Sequence, residues 1–584
     1  MSSQTTTSAT HNTGGKVSRA CDACRVRKVR CSGDQPCAQC AHLNLACNFA
    51  PAPPKRKPGV RGRLVAQLRN KTSPAANGVA SSKCSPPHSS IQNGSVSGGE
   101  VSSAGSSPIA GSVPVTSIAG IVDALQTTSP RSEPSYTIGG CGFPPEFFLG
   151  LLTEFEDLVY PVNPVLTPAE VRACIHNMHD DYEDAALVHA YAAVTVNLTK
   201  TSWTKNGCDV ANQMTTLMQY SFWAHRKAEM AKEGDGYAGG LQGELPVTVK
   251  RIMTCIWLEI CLMAFKRFDR SFMILREAIS MVQTMNLHQY REGDSRITHT
   301  ELARQQRMYW EMYIHERFLF VMSGYPCAMI PLRTGLPMQD DSIPSHVGLG
   351  FNRLVALFQN IDDAFLAHWA SQQSPDPSGP ELTSQWIESK QAQLDQDESD
   401  ALKAEEEMMS SGFGTLVELQ HVDLFITRLW LRTLVWQLAL SHGLLRSTPT
   451  QSTHEGLSLH FPAQRLSAQL RNLVSRLENI SSVMVNGSGI LQKLFEITST
   501  VADVLALPRG TGHTQEEARA RLEDFYYLVQ FIFRFERSQK HQRDYLRDKL
   551  EVLQKMYTIV DFRELAGASP NTSGETYESI SRVA

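Results

Sequence analysis

The chain has 584 residues, 42% hydrophobic and 20% charged, with a formal charge of −4. That length exceeds one compact domain, and the apolar content suffices for a large core, which excludes a wholly unfolded chain. The small net charge hides an asymmetry: residues 1–71 carry thirteen Lys or Arg against two Asp, a local +11 that leaves −15 for the rest, so the expected partner of the head is a polyanion.

Residues 1–16 are polar and expected to be a disordered N-terminus, and Met1–Gly15 lacks the apolar stretch of a secretory signal. An oxidising compartment is therefore not expected, and clustered cysteines read as metal ligands rather than disulfides. Six of the thirteen cysteines fall between Cys21 and Cys47, defining a unit over 17–50. A Pro- and base-rich linker follows over 51–71 and includes Lys55, Arg56 and Lys57. Residues 72–142 are rich in Ser, Gly and Pro with few aromatics; such a segment cannot bury enough apolar area to offset its ordering entropy and is expected to be disordered.

From residue 143 the pattern is helical, and an all-α body is expected over 143–545. Phe147, Phe148, Leu151, Leu152, Phe155 and Val159 recur at three- and four-residue steps, the stripe of an amphipathic helix. Val247 to Leu287 predicts two helices meeting near Lys266–Arg270, and Leu302 to Met322 predicts one that Gly324-Tyr325-Pro326 ends. Residues 372–411 are polar and acidic and read as a surface insertion. Helical pattern returns over Leu416–Leu445, Ala463–Leu477, Ile490–Leu505 and Thr514–Phe535, and 546–584 is expected to hold a C-terminal helix and a disordered tail. The longest apolar run, Leu424 to Leu440, is interrupted by Arg428 and Arg432 and falls short of a membrane span, so no membrane partner is expected. No heptad register is sustained after the cysteines, since Val60, Leu64 and Leu68 cover barely two turns.

The cysteine spacing is Cys21-x2-Cys24-x6-Cys31-x5-Cys37-x2-Cys40-x6-Cys47, so the second triplet repeats the first. Structural zinc takes four tetrahedral ligands and accepts thiolates readily. Two ions need eight ligand positions and six sulfurs are present, so two sulfurs must bridge; Cys21 and Cys37, the first of each triplet, are the symmetric choice. Each Cys-x2-Cys is expected to start a short helix. Redox Cys-x-x-Cys pairs occur singly at a strand-to-helix turn, a metal store needs neither a basic flank nor a large body, and buried structural cysteines show no such repeat.

The run Cys21-Asp-Ala-Cys-Arg-Val-Arg-Lys-Val-Arg-Cys31, followed by Gln35-Pro-Cys-Ala-Gln-Cys40, resembles the Zn2Cys6 binuclear cluster of fungal transcription factors. The resemblance implies two Zn2+ ions per chain bridged by Cys21 and Cys37, and double-stranded DNA as partner. It implies that Lys28 reads bases in a CGG triplet with Arg27 beside it, while Arg25 and Arg30 hold phosphates. The chemistry agrees, because Lys or Arg donating to guanine O6 and N7 is the commonest specific contact in the major groove. Lys55, Arg56 and Lys57 have two readings, a nuclear-import signal or a strand that follows the DNA backbone.

Val247 to Leu336, through Phe272–His288 and Arg304–Arg317, resembles the fungal-specific regulatory domain found downstream of such clusters. Trp430–Leu440 and Leu491–Ile497 are similar to the subgroup of amylolytic and maltose regulators, which also holds activators of polyketide (citrinin-type) gene clusters. The resemblance implies a nuclear, sequence-specific regulator of RNA polymerase II genes. Its first reading is a pathway-specific activator of a secondary-metabolite cluster; the alternatives are a regulator of carbohydrate-utilisation genes, or a repressor with the same DNA reader. A homodimer, the transcription machinery or co-regulators, and a small-molecule effector are the further partners it allows. No enzyme is expected. Gly-x-Ser-x-Gly, a phosphate loop and paired dinucleotide glycines are missing, and His315-Glu316 lacks the second histidine of a zinc protease.

Overall fold

A computed structural model describes residues 21–26, 31–42, 47–49, 142–200, 210–233, 247–290, 293–372, 381–411, 415–447, 453–507 and 514–556. The segments read as a basic linker, a disordered linker and a disordered tail lie outside these residues. Among the described residues the fold is a small cysteine-centred unit and a helical body; no strand forms, and one isolated bridge joins Arg446 to Ser458.

In the cysteine unit two short helices start immediately after the first cysteine of each Cys-x2-Cys pair and include the second, α1 (Asp22–Val26) and α2 (Ala38–His42). In the body, helices of five or more residues are α3 (Pro145–Gly150), α4 (Pro168–Asn177), α5 (Tyr182–Thr199), α6 (Val210–Glu233), α7 (Val249–Ala264), α8 (Phe268–Thr284), α9 (His299–Ser323), α10 (Ser345–Phe358) and α11 (Asp363–Ser371). The series continues with α12 (Ser384–Ser411), α13 (Glu418–Ser441), α14 (Ser467–Arg476), α15 (Gly487–Leu505), α16 (Gln515–Phe533) and α17 (Lys540–Met556). Two π-helical turns, Phe155–Val159 and Pro462–Leu466, stand where the stripes from Phe147 and from Ala463 predict continuous helix.

Local signals set the boundaries. Thr167 with Glu170 and Thr514 with Glu517 form capping boxes that start α4 and α16, and Thr248, Thr298 and Asp362 cap α7, α9 and α11 with their side-chain oxygens. Gly324 ends α9 in the left-handed conformation at φ 73°, as the Gly-Tyr-Pro signal predicts. The break between α7 and α8 falls at residues 265–267, where Lys266 adopts φ 58°, and so meets the expected junction near Lys266–Arg270.

Two helices are buried on nearly every face. α5 is covered by α4, α6 and α7; α13 is covered by α10, α12 and α15. All-round burial explains why α13 looks like a membrane segment in sequence. Its two arginines lie inside the protein: Arg428 pairs with Asp397 at 2.9 Å, and Arg432 with Asp395 at 2.5 Å and Glu398 at 3.0 Å. No helix among the described residues is long and apolar enough to cross a membrane.

Those acids belong to the segment read as a polar surface insertion. From Ser384 to Ser411 it is instead a 28-residue helix, α12, docked by the buried Ile387, Gln391 and Leu394 and by its ion pairs to α13. Its apolar stripe is too narrow to dominate the composition, because charge complementarity holds the rest of the contact face.

Further buried ion pairs pin loops to helices. Arg307 on α9 donates through Nε to the Pro164 carbonyl (2.7 Å) and through Nη1 to Asp340 Oδ2 (2.9 Å). The two side chains are 5% and 1% exposed, so neither charge reaches bulk water. Burial pushes the Asp340 carboxyl up, but the Ser342 hydroxyl and N–H and the Arg307 guanidinium together hold it below its ordinary value. Arg307→Ala strands that carboxylate and is expected to cost about 3–5 kcal/mol. The measurement is urea unfolding of the full chain followed by tryptophan fluorescence; the double variant Arg307→Ala/Asp340→Ala should recover part of the loss, because no charge is then left buried alone.

Candidate metal centre and nucleic-acid interface

Among the described residues the cysteine unit has no apolar core beyond its own sulfurs. Its buried cluster consists of the six cysteines, with Ala23 and Phe49 packed against it among the described residues. All six sulfur-bearing side chains are at most 8% exposed.

The two halves repeat each other atom for atom. The Cys24 N–H donates to Cys21 Sγ at 3.4 Å, and the Cys40 N–H to Cys37 Sγ at 3.4 Å. The Cys21 N–H donates to Cys31 Sγ at 3.4 Å, and the Cys37 N–H to Cys47 Sγ at 3.2 Å. The sequence repeat is thus a structural repeat. Each triplet wraps a turn of helix over its first sulfur and brings the third cysteine back to the backbone of the first.

The sulfurs fall into two groups of four, Cys21, Cys24, Cys31 and Cys37, and Cys21, Cys37, Cys40 and Cys47, each within 4.8 Å. Cys21 and Cys37 belong to both, 3.7 Å apart, with Cys21 to Cys40 and Cys24 to Cys37 each 3.5 Å. A tetrahedral zinc with Zn–S bonds of about 2.3 Å sets its sulfurs about 3.8 Å apart. The donor set and its spacing therefore fit two zinc ions, with Cys21 and Cys37 placed to hold both. The thiols also differ electrostatically. Burial pushes all of these four up, yet the N–H of Cys40 draws Cys37 down to about 6 and that of Cys24 draws Cys21 below its ordinary value, whereas Cys24 and Cys40 end well above theirs. Negative charge gathers first on the two shared sulfurs, where two cations would meet it.

Side chains that the spacing did not single out close the unit. Ser32 Oγ accepts from the Ala38 N–H (2.9 Å) at the start of α2, Gln35 Nε2 donates to the Cys47 carbonyl (3.2 Å), and the Asp22 N–H donates to the Asn48 carbonyl (2.7 Å). Gly33 turns between the halves at φ 88°, and a cis peptide bond joins Gln35 to Pro36. A Ser six residues before the first helical position of α2 is the one local hint of these contacts.

Arg25 is a residue of α1. Its side chain, together with Arg27, Lys28, Arg30, Lys55, Arg56 and Lys57, lies outside the described residues.

Residues 19–57 match the fungal Zn(2)-Cys(6) binuclear cluster domain, so the chain is a member of the class that carries this zinc module, with zinc as its cofactor. Over 493 residues it is 21% identical to the maltose fermentation regulatory protein MAL33 of Saccharomyces cerevisiae, covering 84% of this chain and 85% of that one. It is 36% identical over 70 residues to the xylanolytic transcriptional activator xlnR of Aspergillus flavus, which is 11% of this chain and 7% of the activator. Over 58 residues it is 40% identical to the transcription factor kojR of the same fungus, 10% of each chain. The chain thus matches less than a tenth of the xylanolytic activator's length, whereas the likeness to the maltose regulator extends through the helical body.

Purified chain should contain two zinc ions by elemental analysis. Cys47→Ser, in one group of four, should leave close to one ion, while Cys37→Ser, in both, should leave close to none. Equal losses in the two variants would argue against shared sulfurs.

Proposed function

We propose that this chain is a nuclear, sequence-specific regulator of RNA polymerase II genes that reads CGG-type sites in double-stranded DNA through its zinc module. The single observation that carries the reading is the pairing of a six-sulfur unit, whose two groups of four share Cys21 and Cys37, with a run of four basic residues, Arg25, Arg27, Lys28 and Arg30, between the second and third cysteines. A helix held by metal is small enough for the major groove, and a basic run beside it has little room for a core role. In this reading Lys28 donates to guanine O6 and N7 with Arg27 beside it, and Arg25 and Arg30 contact phosphates. A homodimer on paired half-sites and co-regulators of the transcription machinery are its further partners.

The regulated pathway has two readings. An activator of a secondary-metabolite gene cluster is supported by the resemblance of Trp430–Leu440 and Leu491–Ile497 to a subgroup that includes such activators. A regulator of carbohydrate-utilisation genes is favoured by a specific observation, the similarity to a maltose fermentation regulator over 84% of the chain. Chromatin occupancy and transcript levels with and without the chain separate these two and fix activation against repression.

Lys28→Ala is expected to keep the zinc content and to lose about 1–3 kcal/mol on a CGG-containing duplex with much less loss on a scrambled one. Arg25→Ala should weaken both duplexes by similar factors, since phosphates carry no sequence information. Paired titrations at one fixed salt concentration distinguish the two patterns. If Lys28→Ala lowers both affinities equally, the base-reading role passes to Arg27.

Replacing Lys55, Arg56 and Lys57 together with Ala should weaken binding to every duplex alike and flatten the salt dependence, by about 0.9 in the slope of log affinity against log salt per lost phosphate contact. If their role is import alone, the purified triple variant binds normally while a fluorescent fusion stays outside the nucleus.

A further inference from the structure

Three helices of the body bring one ligand atom each to a common point. His225 of α6, Cys255 of α7 and Glu277 of α8 place an imidazole nitrogen, a sulfur and a carboxylate oxygen within 4.8 Å of one another. His225 Nε2 lies 2.8 Å from Glu277 Oε1 and 3.8 Å from Cys255 Sγ. Cys255 and His225 are buried, whereas the Glu277 side chain is 40% exposed and opens the group to water.

An ion pair explains only part of this arrangement. One ring nitrogen carries at most one proton, and Glu277 Oε1 is placed to accept it at 2.8 Å. The sulfur that approaches the same nitrogen from another helix adds nothing to that pair. Convergence of a nitrogen, a sulfur and an oxygen is what a coordinated cation requires. Tetrahedral zinc sets sulfur and nitrogen about 3.6 Å apart, and nitrogen and oxygen about 3.4 Å apart. The sulfur is already close to that spacing. The carboxylate needs to move outward by about 0.6 Å to reach it, and its side chain is the half-exposed one of the three.

Charge agrees with a divalent ion. A thiolate and a carboxylate carry two negative charges together, and an imidazole binds metal in its neutral form. Arg251, one turn before Cys255 on α7, is buried within electrostatic reach of the sulfur, but it pairs with Glu229 at 2.5 Å. Arg226 also acts on Glu277, from an exposed position where solvent screens it. Neither arginine therefore brings an unmatched buried cation to the group. Zinc accepts all three donor types, whereas calcium and magnesium take oxygen ligands.

We propose that His225, Cys255 and Glu277 form a further zinc site in the helical body, with water completing the tetrahedron on the exposed side beside Glu277. On binding, one bond forms to the metal from each of His225 Nε2, Cys255 Sγ and a Glu277 oxygen, and the Cys255 thiol proton passes to solvent. The ion ties α6, α7 and α8 together at one point. With one sulfur, where the cysteine unit offers four to each ion, this site holds its metal more weakly. The proposal goes beyond the DNA-reading role and does not depend on it, since every residue involved lies in the helical body and the test uses no DNA.

The test takes the full chain, washed with a mild chelator so that it keeps only the metal of its cysteine unit. It is dialysed against increasing free zinc, and bound metal is counted by elemental analysis. The count should rise by one ion per chain, with a proton released to a pH indicator as that ion binds. Glu277→Gln still accepts from His225 but offers no anion. It should weaken the added ion by about 100-fold, since loss of an outer partner alone costs about 10–100-fold. Cys255→Ala should abolish both the added ion and the proton release. A wild-type count that does not rise would overturn the proposal. So would an added ion that both variants bind as tightly as the wild type, the mark of adventitious surface carboxylates, or one that binds without releasing a proton. Glu277 is half-exposed and its replacement leaves the core untouched, so the test stands even where Cys255→Ala does not fold.

Discussion

The convergence of six cysteine sulfurs into two groups of four, with Cys21 and Cys37 common to both, is the constraint on which the N-terminal unit of this protein depends. The cysteine unit has too few apolar side chains to collapse, so metal–thiolate bonds must take the place of a core. Six sulfurs satisfy two tetrahedra only if two serve twice, and sharing places the two metal groups back to back. The halves are equivalent in backbone geometry: each first cysteine receives an N–H from its own helix, and each third cysteine receives one from the backbone of the first. The helix carrying Arg25 is therefore oriented by metal geometry rather than by side-chain packing.

The body solves a different problem. Its buried helices carry ions that packing alone would exclude, and each is matched across a long stretch of sequence: Arg307 with Asp340, Arg432 with Asp395 and Glu398, Lys493 with Asp423. Such pairs add little net stability over well-packed apolar groups, but breaking one is expensive, so they penalise alternative registers of the helices they join. In a body built almost wholly from helices, where apolar stripes can slide by one turn at modest cost, that penalty is a means of fixing one arrangement.

The legible and illegible parts of the sequence divide along the same line. The cysteine sharing was readable because the signal is a local repeat with fixed valence. The α7–α8 junction and the end of α9 were readable because periodicity and a left-handed glycine act within one or two turns. α12 was not, because its reason for folding is Arg428 and Arg432 some thirty residues later, and an acidic helix with a thin stripe looks like an exposed loop until its partner is known. His315 fails for the same reason in reverse. Tested by neighbouring residues it lacks a metal-site motif; its real partners are Glu311 one turn earlier and Glu259 on another helix, 56 residues away. Spacing along a chain reveals what one peptide can build, and not what two helices build between them.

Charge distribution joins the two parts into one physical scheme. Residues 1–71 carry +11 and the remainder −15, so a duplex attracts the head and repels the body. Affinity for DNA then resides in the head, and salt affects it there, because counterion release scales with the phosphates the head neutralises. At physiological ionic strength charges farther apart than about 8 Å are largely screened. The acidic body therefore weakens the head's binding only when brought close to the same phosphates. Any partner or second copy that changes how near the body approaches the duplex will change apparent affinity without touching a DNA contact.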